Sequence, residues 1–164
     1  MRIILGLGSN VGDRLNNLKK AVEVLDFLNP KRISSIYENN ALLPVDAPQE
    51  WDMPFLNMAV VGDTLDDFNT VLGKIKRIEQ MLGRDIAAPR WSPRIIDIDI
   101  LLADIINVVD ACWVPHKEFL NRSFALIPAQ EIAGEMVHPG IGKQLKDIFI
   151  APSDLRLTSY KINS

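Results

Sequence analysis

Alternating apolar and polar positions predict four strands in this chain, because a strand turns successive side chains to opposite faces. The first strand has the clearest pattern, with Ile3, Leu5 and Leu7 on one side. The predicted strands cover residues 2–8, 32–37, 55–61 and 95–102. Two long loops, one rich in Asn, Pro and Asp and the other in Arg and Pro, are predicted at 38–54 and 84–94.

Apolar residues at helical spacing predict two long helices between these strands. The first helix begins near Asp13 and continues to about Leu25. The second follows a capping-box signature, in which Asp67 comes three residues after Thr64, and it ends at Gly83. The resulting order, strand–helix–strand–strand–helix–strand, is that of a ferredoxin-like sheet.

The C-terminal part of the chain has weaker patterns. Pro128 is expected to open a short helix to Ile132, because a proline deeper in a helix lacks an N–H and clashes with the preceding turn. A further short helix is expected near 141–149 and an extended segment near 155–160. The predicted fold is therefore α+β, with a mixed or antiparallel ferredoxin-like sheet flanked by helices and with C-terminal additions, in a single domain of residues 1–164.

Composition narrows the functional classes. A length of 164 residues, with 48% hydrophobic and 24% charged residues, suits one globular domain with its own core. The net charge of −3 argues against a broad basic surface for nucleic acid or an anionic membrane. The chain has no apolar run near the ~20 residues of a membrane span and no signal-peptide pattern, and its single cysteine allows no intrachain disulfide. A cytoplasmic location is the expectation.

The segment Arg90 to Asp99, which reads Arg-Trp-Ser-Pro-Arg-Ile-Ile-Asp-Ile-Asp, contains the strongest chemical signal. On a strand, Asp97 and Asp99 share one face and lie about 6.5–7 Å apart. Such a pair can hold one or two hard divalent cations, and neighbouring arginines can bind phosphate oxygens. The segment predicts phosphoryl-type transfer from a metal–nucleotide complex. The alternative is that both carboxylates only line the solvent-exposed side of a strand.

Three residues suit a planar heterocycle. Phe55 and Asn57 share a strand face, so that a ring for stacking stands beside an amide for hydrogen bonding. Phe124 is a second candidate ring. The alternative is that both phenylalanines belong to the core and that Asn57 marks a strand end.

Cationic side chains around the Asp pair suit a polyphosphate. His116 and Arg122 lie six residues apart in a loop-like segment after the Asp strand. Three arginines lie in the loop 84–94, which could close over a ligand with Trp91 excluding water. The alternatives are a structural histidine and a solvated loop face. Glu79, in the helix before this loop, has its own alternative: an exposed i, i+3 pair with Lys76.

Glycines after the first strand give a weaker signal. Gly6, Gly8 and Gly12 miss the spacing of a dinucleotide-binding turn, because Val11 stands where the third glycine belongs. The alternative interpretation is that these glycines let the backbone pass close to another group.

Taken together, these residues resemble the 6-hydroxymethyl-7,8-dihydropterin pyrophosphokinases, a family of folate biosynthesis. The resemblance extends from about residue 3 to residue 140, and the segment from Arg90 to Asp99 is its most specific part. The matching residues are Gly8-Ser9-Asn10, Phe55-Leu56-Asn57, Glu79, Gly83-Arg84, Arg90-Trp91, Pro93-Arg94, Asp97, Asp99, Pro115-His116, Asn121-Arg122 and Phe124.

The resemblance implies a ferredoxin-like α+β fold, two Mg²⁺ ions, and ATP as co-substrate. It implies transfer of the pyrophosphoryl group of ATP to the hydroxymethyl oxygen of the pterin, with release of AMP. By position, Asp97 and Asp99 would ligate the metals, and Arg94, His116 and Arg122 would bind the ATP phosphates. Only small-molecule partners are expected, and the protein is expected to be a monomer that binds no nucleic acid or membrane.

The resemblance also assigns the remaining site residues. Arg84 and Arg94 would assist catalysis, and Asp97 would be the candidate base. Trp91 would close over both substrates, and Glu79 would lie in the ATP half of the site. The pterin would lie between two rings, with an amide at its edge; these residues are Phe55, Phe124 and Asn57.

Several positions depart from the family pattern. Lys76 stands where many members have Gln, Ile86 replaces a second loop arginine, and Ala111 and Trp113 replace polar residues on the adenine side. Residues 39–54 differ from the usual pterin rim. Two alternatives therefore remain: another Mg²⁺-dependent nucleotidyl- or phosphoryl-transferase, or a non-catalytic ferredoxin-like binding module.

Overall fold

The computed structural model describes residues 1–85, 87–105, 107–109 and 112–162. Ile86 and Ala111, two of the departures from the family pattern, lie outside these residues. The helices and strands are β1 (Arg2–Ser9), α1 (Arg14–Val24), β2 (Lys31–Ile33), β3 (Tyr37–Asn39), β4 (Phe55–Asp63), α2 (Phe68–Met81), β5 (Asp97–Ala103), β6 (Asn107–Val109), β7 (Cys112–Val114), α3 (Ser123–Ala133), β8 (Val137–His138), β9 (Lys143–Gln144) and β10 (Arg156–Leu157). Among the described residues, no helix is both long and apolar enough to cross a bilayer.

One six-stranded sheet organises the molecule. Its strand order is β10–β3–β4–β1–β5, and β2 also pairs with β4. Each of these pairs is antiparallel. Two short hairpins, β6–β7 and β8–β9, lie apart from the sheet. The predicted α+β class is confirmed, and the pairing within the described residues is antiparallel rather than mixed.

Helices cover both faces of the sheet. On one face, α1 and α2 pack through residues such as Leu18 and Val71 against the buried side chains of Leu5 and Val60. On the other face, α3 packs through Leu126 against a second buried cluster, which lies over only part of the sheet. The remainder of that second face is open.

The second predicted strand and the start of the second helix differ from the sequence prediction. The predicted strand 32–37 is two short strands, β2 and β3, separated by three residues. The second helix begins at Phe68, not at Thr64, because the Asp67 carboxylate accepts a hydrogen bond of 2.8 Å from the Thr70 N–H and so caps the helix. The predicted stop is confirmed, since Gly83 follows the helix with a φ of +98°.

The C-terminal part shows the largest differences. The expectation that Pro128 opens a helix is wrong, because Pro128 lies buried inside α3, which begins five residues earlier at Ser123. An internal proline costs about 3 kcal/mol. Burying Leu126 and Ile132 on the sheet offsets this cost, at about 1.5–3 kcal/mol for each side chain. The predicted helix at 141–149 is β9 followed by one 3-10 turn.

Candidate active site

The open part of the second sheet face is a cavity of about 620 Å³. All eleven candidate site residues line it: Phe55, Asn57, Glu79, Arg84, Trp91, Arg94, Asp97, Asp99, His116, Arg122 and Phe124. A larger cavity of about 970 Å³ lies beside Met1 and contains none of these residues. The chemistry predicted from the sequence therefore converges on the smaller cavity.

Two glycines of β1 form the floor of this cavity. Gly6 pairs with Asp99 on one side and Ala59 on the other, and Gly8 pairs with Asp97 and Asn57. A Cβ atom at Gly8 would stand 3.0 Å from Asn57 Oδ1. The glycines therefore leave a flat strip of backbone between the carboxylates and the amide, as the close-approach interpretation predicts.

Asp97 is held by two arginines at the edge of the cavity. Its Oδ1 accepts from Arg84 Nη1 at 2.7 Å, and its Oδ2 accepts from Arg94 Nη1 at 3.1 Å. Arg84 also forms an ion pair with Glu79. Two guanidinium groups from the loop after α2 are thus fixed beside the first carboxylate of the pair.

Asp99 is the most perturbed carboxylate of the site. Burial, together with repulsion from Asp97 and Glu79, raises the pKa of Asp99 to about 7. A cation between Asp97 and Asp99 would remove this repulsion, and carboxylate oxygens are the ligands that Mg²⁺ prefers. Within the described residues, no group of three or more His, Cys, Asp or Glu side chains could hold a metal. The two carboxylates fit a cation that takes its other ligands from water and phosphate.

Glu79 is buried, with 7% of its surface exposed, so its interpretation as an exposed partner of Lys76 is wrong. Its Oε1 accepts a hydrogen bond of 2.8 Å from the backbone N–H of Ile98. Burial raises the pKa of Glu79. The side chain therefore ties α2 to the stretch of β5 between the two acidic residues.

Asn10 explains why the Gly-Ser-Asn motif belongs to the site. Its Oδ1 accepts from the Arg94 N–H at 2.8 Å, and its own N–H donates to the Arg94 carbonyl at 3.2 Å. The end of β1 thus fixes the backbone of Arg94. Trp91, in the same loop, is 36% exposed, has a φ of +73°, and lies with its ring 4.9 Å from the Arg90 guanidinium.

His116 and Arg122 line the cavity beyond β5. Burial, with the positive charge of Arg122 as a further cause, lowers the pKa of His116. Its Nδ1 accepts from the Glu118 N–H at 3.2 Å, so the neutral ring carries its proton on Nε2. His116 can therefore donate a hydrogen bond without being charged.

Phe55 and Asn57 lie on the β4 side of the cavity, and Phe124 lines it from α3, with its ring 5.8 Å from the Arg122 guanidinium. The sequence did not predict a fourth residue here, Asn39, which is buried and whose Oδ1 accepts from Asn57 Nδ2 at 2.5 Å. Asn39 pairs directly with Phe55 across the sheet. Extending the second predicted strand by two residues would have placed Asn39 on this face.

Carboxylates and guanidinium groups beside aromatic rings are typical of enzymes that bind a metal–nucleotide and a flat second ligand. A profile of the 7,8-dihydro-6-hydroxymethylpterin-pyrophosphokinase (HPPK) family matches residues 4–134. The chain belongs to this family.

Named relatives agree with this assignment. The 2-amino-4-hydroxy-6-hydroxymethyldihydropteridine pyrophosphokinase of Aquifex aeolicus is 38% identical over 151 residues, which cover 88% of each chain. The folate synthesis bifunctional protein of Chlamydia caviae is 36% identical over 99% of this chain, and the match spans 39% of that protein. The corresponding match in Chlamydia muridarum spans 28% of that relative's length.

Solved structures support the fold alone. The wild-type HPPK-DHPS of Plasmodium falciparum superposes with a TM-score of 0.67 at 15% identity, covering 90% of this chain and 44% of that one.

Proposed function

We propose that this chain transfers the pyrophosphoryl group of ATP to the hydroxymethyl oxygen of 6-hydroxymethyl-7,8-dihydropterin and releases AMP, as a step of folate biosynthesis. The observation that carries the proposal is the single cavity in which the pair Asp97 and Asp99 faces arginines at one end and Phe55 at the other. The family membership and the name of the Aquifex aeolicus relative support the same reaction.

Asp97 and Asp99 would hold two Mg²⁺ ions. The burial and the repulsion that raise the pKa of Asp99 support this role, because a bound cation would stabilise the charged carboxylate. When bound, the metal would neutralise phosphate charge and orient the reacting oxygens. Both oxygens of Asp97 already accept from guanidinium groups, which argues against its other proposed role as a base.

Five side chains would hold ATP in the half of the cavity around β5. Arg94, His116 and Arg122 would donate to its phosphate oxygens, with His116 donating from a neutral ring. Trp91 would cover the ligand, and Glu79 would hold Ile98 and Arg84 in place at this end. The amino end of α3 begins at the same edge, where its partial positive charge favours phosphate.

Arg84 and Arg94 would stabilise the charge that develops during transfer. The new bond forms between the hydroxymethyl oxygen and the β-phosphorus, and the bond from the β-phosphorus to the α–β bridging oxygen breaks, so that AMP leaves with the electron pair and the hydroxyl proton passes to water. Both arginines are positioned before substrate binds, through Asp97, Glu79 and Asn10. Positioning and charge stabilisation would thus supply most of the rate enhancement.

The pterin would bind over the glycine floor. Phe55 and Phe124 would stack on its rings, and Asn57 would hydrogen-bond its edge. Trp91 would close the site from the loop and exclude water from the reacting phosphate.

We further propose a ferredoxin-like sheet, two bound metals, and a monomeric cytoplasmic protein that acts on small molecules. The strand order β3–β4–β1–β5, with α1 and α2 on one face, supports the fold assignment. Residues 1–164 would form one pyrophosphokinase domain.

The test is a product assay with ATP, MgCl₂ and 6-hydroxymethyl-7,8-dihydropterin. We expect AMP and a pterin diphosphate in equal amounts, and no turnover when EDTA removes the metal. Formation of ADP instead would contradict pyrophosphoryl transfer and favour another Mg²⁺-dependent transferase. Binding of ATP and pterin with no product would favour a binding module.

A further inference from the structure

Two buried asparagines form a short hydrogen-bond chain at the pterin end of the cavity. Asn57, on β4, donates from Nδ2 to Oδ1 of Asn39, on β3, at 2.5 Å. Asn39 in turn donates from Nδ2 to the backbone carbonyl of Asn40 at 2.7 Å. Only 3% of Asn39 and 6% of Asn57 is exposed. This hydrogen-bond chain therefore runs from the cavity to the backbone just beyond the end of β3.

The carbonyl at the end of this chain fixes the direction of both amides. A backbone carbonyl only accepts, so Asn39 must point its NH₂ group at Asn40 and its oxygen at Asn57. Asn57 must then point its own NH₂ group at Asn39. Its Oδ1 is left above Gly8, where it would stand 3.0 Å from a Cβ atom.

This oxygen is available to a ligand. No hydrogen bond to Asn57 Oδ1 comes from any described residue, although Asn57 lines the cavity. In the described part of the chain, every fully buried side-chain nitrogen or oxygen has a hydrogen-bond partner. The unpartnered Oδ1 is therefore at the cavity surface, as an acceptor with a fixed orientation.

The C-terminal segment holds the outer end of this hydrogen-bond chain, at Asn40. The Asn40 N–H donates to Asp154 Oδ2 at 2.7 Å. β10 pairs with β3, and the Thr158 N–H donates to the Ile36 carbonyl at 3.0 Å. This segment comes after residue 134, where the match to the family profile ends. Residues outside the range of the profile match thus support the rim of the cavity.

We propose that Asn39 is a positioning residue, which locks Asn57 with its oxygen towards the cavity and so selects a heterocycle whose edge carries N–H donors. The exocyclic amine and the neighbouring ring N–H of a pterin form such an edge, and the inference rests in this respect on the proposed function. Asp154 holds the Asn40 end of the chain. Without Asn39, Asn57 can rotate and present its NH₂ group to these donors instead.

The test is a double-mutant cycle on the binding of 6-hydroxymethylpterin, measured by calorimetry with Mg²⁺ and a non-hydrolysable ATP analogue. We expect Asn39→Ala to weaken pterin binding by about fivefold to tenfold, the value of one hydrogen bond. In an Asn57→Ala background the same change should have less than a twofold effect, because Asn39 acts through Asn57. The affinity for the ATP analogue serves as the internal reference.

Two further variants separate positioning from general structural damage. Asn39→Thr should retain near-wild-type binding, since a hydroxyl can accept from Asn57 and donate to Asn40. Asp154→Ala, at an exposed position, should weaken binding by about twofold through a looser Asn40. If Asn39→Ala does not fold, these two variants alone decide the matter.

The outcomes are distinguishable. Equal effects of Asn39→Ala with and without the Asn57 side chain would overturn the inference, as would a Thr variant as weak as the Ala variant. If the wild-type chain does not bind 6-hydroxymethylpterin at all, the proposed function itself fails. The inference is supported if Asn39→Ala weakens binding only when the Asn57 side chain is present and if Asn39→Thr binds like the wild type.

Discussion

The two faces of the sheet are built from the same strands but differ in what covers them. The face under α1 and α2 is apolar along its length, from Ile3 to Leu7 on β1 and from Ile98 to Ile100 on β5. The opposite face is apolar only under α3. Beyond α3 it carries glycines, carboxylates and an amide, and it is open.

This difference shows how a short chain can form its core and its site from the same strands. Because side chains alternate, Ile98 anchors β5 in the core while its neighbours Asp97 and Asp99 face the cavity. The apolar residues fix the register, and the register fixes the spacing of the carboxylates. The packed face under α1 and α2 therefore holds the strands rigid, and the polar residues on the open face depend on that rigidity for their positions.

Removing one carboxylate from the open face of the sheet should have the largest effect on activity. We expect Asp99→Asn to lower AMP production by about 10³-fold or more, because the variant loses the charge that would hold the metal. The control is Asp104→Asn, just beyond the other end of β5, where the exposed carboxylate accepts from the Arg2 N–H at 3.1 Å and from no other described residue. The control should retain activity within twofold. Wild-type turnover of Asp99→Asn would rule out a metal-binding role for Asp99.

Removing the Arg84 guanidinium, which Asp97 and Glu79 already hold in position, should have the next largest effect on turnover. We expect Arg84→Ala to lower turnover by about 10²-fold, the cost of one donor to a charged transition state. Arg77→Ala, on the exposed side of α2, is the matched control and should change turnover by less than twofold. A rate for Arg84→Ala close to that of Arg77→Ala would show that the ion pairs of Arg84 are only structural.

Filling the glycine floor should affect pterin binding more than catalysis. A Cβ at Gly8 would stand 3.0 Å from Asn57 Oδ1 and 3.4 Å from Phe55 Cδ1, so we expect Gly8→Ala to weaken pterin binding by about tenfold. Gly73→Ala is the control, since a Cβ there has nothing within 4 Å. It should bind normally and gain about 0.5–1 kcal/mol of stability in the helix. Equal pterin affinity in both variants would contradict the floor's role.

The smallest expected effect is on the pH dependence of the free energy of unfolding, measured in EDTA so that no metal is bound. Because the pKa of Asp99 is raised to about 7, the folded state binds more protons than the unfolded state between about pH 4 and pH 7. The contribution of Asp99 to the free energy of unfolding therefore falls as pH rises through this window. We expect the free energy of unfolding of Asp99→Asn to exceed that of the wild type by at least about 1 kcal/mol more at pH 8 than at pH 4. Chemical denaturation at both pH values measures this; a gap independent of pH would contradict it.

The parts of the site that the sequence predicted are those that follow from strand periodicity. The common face of Asp97 and Asp99 is confirmed by their pairing with Gly8 and Gly6, which lie on the same strip of β1. The convergence of all the candidate residues on one cavity followed from the resemblance, because residues far apart in sequence have no local signal of proximity.

The missed features depend on tertiary contacts. Glu79 looks like an exposed helical residue until its bond to Ile98 is known. Asn39 is the last residue of β3, beyond the end of the predicted strand 32–37 and inside the predicted loop 38–54. Pro128 lies inside α3 because burial against the sheet exceeds the local preference of proline. In each case the structure of the residue is determined by a contact between segments that are distant in sequence, and the local sequence gives no signal of that contact.

Among the described residues, the acid-bearing strand β5 lies at the margin of the sheet and pairs with β1 alone. The loop segment at His116 reaches its free side, where the His116 N–H donates to the Leu101 carbonyl at 2.9 Å. Under the proposed function, substrates and products would therefore enter and leave by movement of the segments around β5, while the central strands β1 and β4 keep their hydrogen bonds. The acidic residues stand on a marginal strand, whereas the glycine floor belongs to the scaffold itself.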